Sequence, residues 1–305
     1  MPLPTPAESL RLACRTNTHT TSTSLLTPTI QANLLVLPSR HAASFRALCA
    51  RNPVSCPLLW TTPPGTPTTP LAPTADLRTD LPKYNIYLDG ILQTPEGVLD
   101  IKNEWSPDHV GFLIGCSFSF ETALERAGLP PRHTLCTPPR TVPMFRTTVP
   151  LCPAGVFTGG VMVVSMRSYP PGRVEEVRDI TRRFGRQHGE PVAWGWEGAE
   201  TLGVAEKMRE GRVDFGEWVE VAVMESGIGG VVLSHFPGCM FVSDVLAEDE
   251  AELESVVKAL DVVEEVGMIT CEYIPHIPTR ILATPGWWCA GAGVRTYSLY
   301  YSHCC

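Results

Sequence analysis

The segment QANLLVLPSRHAASFRALCARNP, residues 31–53, contains the pattern from which the fold assignment starts. Residues 32–37 form a short apolar run ended by Pro38, which is typical of a buried strand. Ser39 follows at once and can cap a helix that we expect to run through Ala50, with apolar residues three and four positions apart. A strand that leads directly into a helix favours a fold in which helices pack on a sheet.

The same combination of strands and helices continues along the chain. The fully apolar run VMVVSM, residues 161–166, predicts a central strand, and the apolar spacing over 173–184 predicts a helix. Asp89 and Gly90 predict the tight turn of a hairpin over 83–93, because both residues tolerate the positive φ that such a turn requires. These patterns predict an α/β (mixed α+β) protein with a mixed sheet flanked by helices.

Residues 107–128, PDHVGFLIGCSFSFETALERAG, are interpreted as two helical pieces broken at 115–117. In the second piece Ser119 is a suitable N-terminal cap and Gly128 a suitable C-terminal one. Further strands are expected at 218–223, 231–234 and 240–242.

The two ends of the chain differ from its middle. Residues 1–30 are rich in Pro and Thr and are expected to form a poorly ordered arm. Residues 245–305 are expected to contain an acidic helix over 247–265 and then a tail rich in Cys and Trp.

Composition argues against several classes of partner. A formal charge of −8 argues against a nucleic-acid-binding surface, which needs clustered Lys and Arg. No stretch reaches the roughly 20 consecutive apolar residues that a membrane span requires. At 305 residues, 44% of them hydrophobic, the chain can bury a large core. We therefore expect neither nucleic acid nor membrane as a partner and leave homo-oligomer formation open.

Cysteine use and the N-terminal composition bear on the cellular compartment. The chain has 11 cysteines without a CxxC pair, and no charged start followed by an apolar run marks a secretory signal. We therefore expect reduced thiols and a cytoplasmic protein. Residues 1–75 contain five arginines and a single acid, Glu8, a bias typical of a transit peptide, so a mitochondrial location is the alternative.

Residues 115–121, GCSFSFE, form what we call the corner, where the chain is expected to turn into a helix. A glycine allows close approach of a ligand, and the free N–H groups of a helix start attract carboxylates. In the functional interpretation the corner cradles a carboxylate, with Cys116, Ser117 and Glu121 as acid, base or polar participants. In the structural alternative the serine caps the helix and Cys116 is a small core residue.

Three arginines beside predicted turns and strand ends are candidates for substrate binding: Arg78 in DLRTDLP, Arg146 in PMFRT and Arg167 in VSMR. A planar guanidinium group can bind a carboxylate through two parallel hydrogen bonds, as a small acid or amino acid would require. Arg167 directly follows the predicted central strand, a common position for a site residue in α/β folds. The alternative for each arginine is a structural ion pair.

Asp80 and His235 are further acid/base candidates. Removal of water requires a base that takes a proton and an acid that assists the departing oxygen. A carboxylate such as Asp80 or Glu121, together with His235 or Cys116, can supply both without a metal. Because His235 directly follows a predicted strand, a purely structural role is its alternative.

No motif requires a metal or another cofactor, and we expect neither. His133 and Cys136 lack a partner pair at zinc spacing. The GIGG string at 227–230 precedes a predicted strand, whereas a phosphate-binding loop follows one. The GxSxG motif typical of many hydrolases is absent from the sequence.

Several strings in the chain carry a resemblance to a known family. The most distinctive are GCSFSFE at 115–121 and RTDLPKY at 78–84. The others, in chain order, are QANLLVLP (31–38), LCARNPVSCPLL (48–59), FLIGCSFSFETAL (112–124), VPMFRT (142–147), VMVVSMR (161–167), VDFGE (213–217) and VVLSHFPGCMFVSD (231–244). Together they resemble the family of hydro-lyases that includes D-glutamate cyclase, and the resemblance covers residues 31–244.

The resemblance implies a two-lobed α/β catalytic unit over residues 31–244 and an activity among the carbon–oxygen lyases. For D-glutamate cyclase the implied reaction is loss of water from D-glutamate to give 5-oxo-D-proline. The expected function is therefore removal of water from a small carboxylate or amino acid. The three arginines would hold its carboxylates, and the corner would line its reacting end.

Four features depart from the family pattern. The string TSTSLLTPTI, residues 21–30, replaces a glycine-rich stretch, and a segment that would include a strand is absent after Val221. Cys239 stands where a histidine is expected, and residues from 245 onward match no part of the family. These departures keep open a second interpretation, a catalytically inactive relative that binds a small carboxylate. A third is an interaction protein that uses the acidic helix over 247–265.

Overall fold

The computed structural model describes residues 3–19, 29–88, 91–219, 230–234, 240–246 and 298–299. Its helices are α1 (Pro6–Arg15), α2 (Ala42–Arg51), α3 (Glu121–Arg126), α4 (Val174–Thr181), α5 (Gly195–Thr201) and α6 (Ala205–Arg209). Its strands are β1 (Thr29–Pro38), β2 (Leu58–Thr61), β3 (Ile86–Leu88), β4 (Ile91–Leu92), β5 (His109–Gly115), β6 (Met144–Pro150), β7 (Val161–Ser168), β8 (Ala193–Trp194), β9 (Gly230–Ser234), β10 (Met240–Leu246) and β11 (Ser298–Leu299). Short 3-10 turns lie at Ser39–His41, Ser117–Phe120, Arg132–Leu135, Pro171–Arg173 and Gly185–Gln187.

The described strands form three sheets. The first has the order β10-β1-β5-β2, the second β11-β3-β4 and the third β6-β7-β9-β8. Each pair of neighbouring strands in these sheets runs antiparallel. The combination of helices and sheets confirms the α/β (mixed α+β) class predicted from the sequence.

β1 and β5 form the centre of the first sheet, and every residue of both strands is buried. Successive side chains of a strand project to opposite faces. On one face of β1, Leu34 packs into a core with Phe120, and on the other Leu35 packs with Phe45 of α2. Burial on both faces explains why residues 32–37 are apolar except for Asn33, and the strand predicted there is confirmed.

The helix predicted after this strand is also confirmed, with a later start. α2 begins at Ala42, because residues 39–41 form a 3-10 turn. The Ser39 hydroxyl donates to Asp108 instead of capping the helix. The helix ends at Arg51, one residue beyond the expected Ala50.

The helix predicted at the start of 107–128 is wrong. Residues 109–115 form β5, which pairs with β1 on one side and β2 on the other. A short run that is apolar at nearly every position, as at 110–115, has neither a helical nor a strand period, so its neighbours decide its structure. The second piece is helical as predicted, but Ser119 does not cap it. Its hydroxyl exchanges hydrogen bonds with the backbone of Gln31.

Several other predicted elements are confirmed. β7 is central in the third sheet, between β6 and β9, and α4 lies within the helix predicted over 173–184. β3 and β4 form the predicted hairpin, in which Tyr87 pairs with Leu92. The strands expected at 231–234 and 240–242 are β9 and β10. The turn at residues 89–90, most of the strand expected at 218–223 and the helix expected at 247–265 lie outside the described residues.

The N-terminal segment, expected to be a loose arm, contains α1. The helix begins after Thr5, whose side-chain oxygen accepts a hydrogen bond from Glu8 N at 3.2 Å. Ala7, Arg11 and Cys14 form its buried face. The sequence pattern did not indicate this helix, because its buried face consists of two small residues and an arginine instead of large apolar residues.

α5 and α6 cover one face of the third sheet. Phe145, Val164 and Met166 of the sheet pack there against Leu202 and Met208. The opposite face of β6 and β7 is turned towards the corner. In the part of the chain that the structure describes, no helix combines the length and the apolar character that crossing a bilayer requires.

Candidate functional site

The corner begins where β5 ends, and Gly115 sets its shape. Cys116 N donates to Gln31 O at 3.1 Å, which continues the pairing of β5 with β1. A Cβ atom at residue 115 would lie 1.8 Å from the carbonyl oxygen of Arg186. Only glycine therefore allows the turn at Gly185–Gln187 to approach the corner so closely.

Arg167 reaches the corner from β7 with its side chain fully buried. Its Nε donates to Glu121 Oε1 at 2.9 Å, and its Nη1 donates to Ser165 Oγ at 2.9 Å. Its Nη2 donates to Ser117 Oγ at 3.2 Å and also to Glu121 Oε1. These bonds engage four of the five N–H groups that arginine offers. Arg167 therefore holds the residues of the corner together, and its guanidinium group is not left free to bind a ligand through two hydrogen bonds.

Glu121 supplies the negative charge of the corner and is 2% exposed. Burial disfavours its charged form, but its electrostatic interactions with His133 and Arg167 outweigh burial, so the pKa of Glu121 lies below its ordinary value. The carboxylate therefore stays ionised at neutral pH. It acts as a fixed anion and is a weak proton acceptor.

His133, which the sequence analysis considered only as a zinc ligand, completes the corner. Its Nε2 lies 3.3 Å from Glu121 Oε1, and its ring stacks on Phe118 with centroids 6.3 Å apart. Despite this short distance, Nε2 makes no hydrogen bond with any described residue. A buried imidazole beside a carboxylate can take up and return a proton. Nothing in the sequence around His133 indicated this position.

Arg146 lies on the same face of the third sheet as Arg167. It pairs with Val163 across β6 and β7, and Arg167 follows Val163 by four positions, so all three project to one face. Val163 packs there against the cluster that contains Cys116 and Phe118. The two arginines therefore both face the corner, about 13 Å apart along the strand direction.

Arg146 keeps a hydrogen-bonding group that the described residues do not use. Its Cζ lies 4.6 Å from the ring centroid of Phe215, and that ring packs against the corner. Its backbone N donates to Asp214 Oδ2 at 2.8 Å, and Lys207 Nζ lies 2.5 Å from the same oxygen. Its Nη2 is buried and has no hydrogen-bond partner among the described residues. Because buried polar atoms are normally paired, Arg146 is the predicted arginine best placed to receive a carboxylate.

Asp80 and Arg78 belong to a different network. Arg15 of α1 donates to the two oxygens of Asp80 at 2.7 and 2.6 Å, and Thr79 Oγ1 donates to the same carboxylate at 2.7 Å. Arg78 Nη2 donates to Asp76 at 2.7 Å. None of these contacts reaches the corner. The network anchors α1, and it gives no support to the sequence hypothesis that Asp80 and Arg78 share one site with Arg167.

The remaining predicted residues have different outcomes. Cys116 is joined in a disulfide bond, which differs from the reduced thiol expected from the sequence, so its sulfur is not available as a thiolate in this state. Ser117 is buried and accepts the hydrogen bond from Arg167 described above. His235 and Cys239 lie outside the described residues.

The corner thus combines binding groups with a group able to move a proton. Arg146 offers a cationic donor, His133 offers a proton carrier, and Arg167 and Ser117 belong to the network that fixes the Glu121 carboxylate beside His133. Within the described ranges, no three side chains of His, Cys, Asp or Glu are grouped so that they could hold a metal ion.

The sequence of the corner and of β6 and β7 matches a known family. The family described as D-glutamate cyclase matches residues 110–244, a range that begins in β5 and contains His133, Arg146 and Arg167.

Whole-chain relatives give the same result. A protein of Schizosaccharomyces pombe named "Putative hydro-lyase" is 45% identical over 239 residues, which are 71% of this chain and 76% of that protein. Proteins of the same name from Jannaschia and Paracoccus denitrificans are 38% and 40% identical, and each alignment covers 96% of the relative. Identity of this level across more than two thirds of both chains shows that the protein belongs to the hydro-lyase family that includes D-glutamate cyclase.

Proposed function

We propose that this protein removes water from a small amino or hydroxy acid, with conversion of D-glutamate to 5-oxo-D-proline as the specific candidate reaction. The names of the relatives and of the matched family support this class of reaction. The structural observation that carries the proposal is the buried Nη2 of Arg146, which faces the corner without a hydrogen-bond partner among the described residues. A substrate carboxylate would complete its bonding.

The proposal gives the corner residues separate tasks. Arg146 binds a carboxylate of the substrate and fixes its orientation. For D-glutamate the amine attacks the carboxyl carbon at the other end, so a C–N bond forms and a C–O bond breaks. The nitrogen loses a proton and the departing oxygen gains one, and one water leaves.

His133 is our candidate for carrying that proton. Its Nε2 is free of hydrogen bonds to the described residues, and the Glu121 carboxylate at 3.3 Å stabilises the imidazolium that forms when it accepts a proton. Arg167 holds Glu121 in place for this purpose, and Ser117 in turn accepts a hydrogen bond from Arg167.

The reaction can be found by a mass-spectrometric screen of the purified full chain. D-glutamate, L-glutamate and small hydroxy acids would each be incubated with the protein, and products lighter by one water would be sought. Turnover of at least one of these acids is the expected result. A screen in which none loses water would contradict the proposed activity.

Replacement of Arg146 tests the carboxylate-binding role. Because a charge-assisted hydrogen bond in a buried site contributes about 1.5–3 kcal/mol, Arg146→Ala should lower kcat/KM by roughly 10- to 150-fold. The matched control is Arg209→Ala. Arg209 also stacks on an aromatic ring, with its Cζ 5.1 Å from the Trp196 centroid, but its side chain is 52% exposed. Equal activity of both variants would contradict the assignment.

A second candidate function is a catalytically inactive protein that binds a small carboxylate. The observation that favours it is that three of the predicted catalytic groups are already bonded within the protein. Cys116 is in a disulfide bond, and Ser117 and Glu121 accept hydrogen bonds from Arg167. Calorimetric binding of D-glutamate that depends on Arg146, with no turnover in the screen above, would distinguish this function from the enzyme.

A further inference from the structure

Gln31 presents a second buried polar group that no described residue uses. It lies in β1 and is 0% exposed. Its backbone is fixed to the corner, since Gln31 N donates to Ser119 Oγ at 2.9 Å and Gln31 O accepts from Cys116 N at 3.1 Å. Yet neither Oε1 nor Nε2 of its carboxamide has a hydrogen-bond partner among the described residues.

An unpaired buried carboxamide is energetically unfavourable. Folded proteins leave few buried polar atoms unpaired, because each such atom has lost its hydrogen bonds to water without replacing them. Methionine would fill a similar volume without this loss. A ligand that completes the bonding of the carboxamide explains why a residue with both a donor and an acceptor lies here.

The side chain of Gln31 projects from the face of the first sheet that carries Cys116. Ala32 pairs with Gly115, and Cys116 continues the strand conformation with φ -123° and ψ 136°, so Gln31 lies opposite Cys116. Opposite residues of an antiparallel pair project to the same face.

The same cluster connects this face with Arg146. Cys116 belongs to the cluster against which Phe215 packs, and the guanidinium group of Arg146 lies over the Phe215 ring. The unpaired groups of Gln31 and Arg146 therefore flank one cluster, from the first sheet and from the third.

We propose that Gln31 is a specificity-determining residue, whose carboxamide binds the amino or hydroxyl group beside the substrate carboxylate. The inference rests on the proposed function in that Arg146 binds the carboxylate. Oε1 accepts a hydrogen bond from the N–H or O–H group, and Nε2 donates to a carboxylate oxygen. An amino or hydroxy acid satisfies both atoms, whereas a dicarboxylic acid without that substituent leaves Oε1 unpaired.

Binding calorimetry with three acids tests this role independently of turnover. The probes are D-glutamate, L-glutamate and glutarate, which keeps both carboxylates and lacks the amino group. The wild-type protein should bind one glutamate enantiomer at least about 10-fold more tightly than glutarate, because glutarate leaves a buried acceptor unpaired. In Gln31→Met this preference should fall below about twofold, with glutarate affinity nearly unchanged.

Gln187→Met is the matched control. Gln187 resembles Gln31 in that it is buried and its Nε2 has no hydrogen-bond partner among the described residues. It differs in position, because its backbone lies next to the point that a Cβ atom on Gly115 would occupy, and that point is on the face of the sheet opposite Cys116. This variant should keep the preference for glutamate.

Thermal unfolding adds a second measurement, because Gln31→Met removes an unpaired group and should unfold at the same or a higher temperature. A lower Tm would show that the carboxamide serves the fold, which overturns the proposal.

The outcomes separate this inference from the proposed function. A preference for glutamate that depends on Gln31, without turnover, supports the role of Gln31 and contradicts the activity. Turnover with an unchanged preference in Gln31→Met overturns the role of Gln31 and leaves the activity standing. A wild-type protein that binds none of the three acids, or binds glutarate as tightly as glutamate, also overturns it.

Discussion

At the scale of single residues, the ion pair of Glu121 and Arg167 is the most consequential feature, since their side chains are 3% and 0% exposed. Glu121→Gln keeps the shape of the side chain but removes its charge, which leaves the guanidinium group buried without a counter-charge. We expect the free energy of unfolding to fall by about 3–5 kcal/mol. Denaturant-induced unfolding at neutral pH measures this loss.

The control for this prediction is Glu176→Gln, which breaks a pair with Arg173 at the surface. Solvent screens that pair, so the unfolding midpoint should not change measurably. If Glu121→Gln were as stable as the wild-type protein, this result would show that Glu121 is not the buried, charged partner of Arg167.

The sequence could indicate some residues of the corner and not others. Ser117, Glu121 and Arg167 stood out because the glycine-serine string and the end of an apolar strand are local patterns. Gln31 and His133 did not, because what distinguishes them is hydrogen-bonding capacity left unused after folding. That property depends on contacts between distant segments, so no local pattern indicates it.

At the scale of elements, α1 is held by an ion pair of Arg15, which donates to both oxygens of the buried Asp80. Arg15→Ala would leave that carboxylate without its cation. We expect a loss of roughly 3 kcal/mol in the free energy of unfolding, together with faster amide hydrogen exchange in α1.

Arg182→Ala provides the comparison for α1. Arg182 pairs with Asp179 and Glu190, but its side chain is 56% exposed, so exchange and stability should stay close to wild type. Unchanged exchange in α1 after Arg15→Ala would show that its small buried residues suffice to hold it.

Secondary structure was predictable where a pattern has a definite period. The helix at α4 followed from such a pattern. β5 and β7 are short, mainly apolar segments without a clear period; β7 was assigned correctly as a strand, whereas β5 was assigned as a helix, and its identity depends on pairing with β1 and β2. α1 was missed for the opposite reason, since its buried face contains no large apolar residue.

At the scale of the whole molecule, the site depends on the first sheet meeting the third. Gln31 and the corner come from one sheet, and Arg146 and Arg167 come from the other. Two of the arginines proposed from sequence face this junction and Arg78 does not join them through any described contact. Sequence spacing could not distinguish them, because it does not show which sheets pack together.

His188 links this junction to the rest of the fold and makes the molecule sensitive to acid. It is buried in the left-handed region, with φ 79°, and its Nδ1 lies 2.8 Å from the carbonyl oxygen of Val54. Burial disfavours the imidazolium and lowers the pKa of His188 from 6.5 to about 4.

The pKa of His188 sets the direction of the pH dependence. Between pH 6.5 and about 4 the unfolded chain carries a proton on His188 that the folded chain does not, so the free energy of unfolding decreases as the pH falls through this range. The contribution present above pH 6.5 and lost by about pH 4 is roughly 3 kcal/mol. Glu121, whose pKa is also lowered, loses its stabilising contribution only as the pH falls below 4.5.

Urea unfolding across this range should show both effects. His188→Asn tolerates the left-handed conformation and cannot titrate, so it should reduce the slope in the upper window only, where His41 and His109, whose pKa values burial also lowers, leave a smaller slope. Parallel curves for the two proteins would show that His188 does not remain neutral in the folded state.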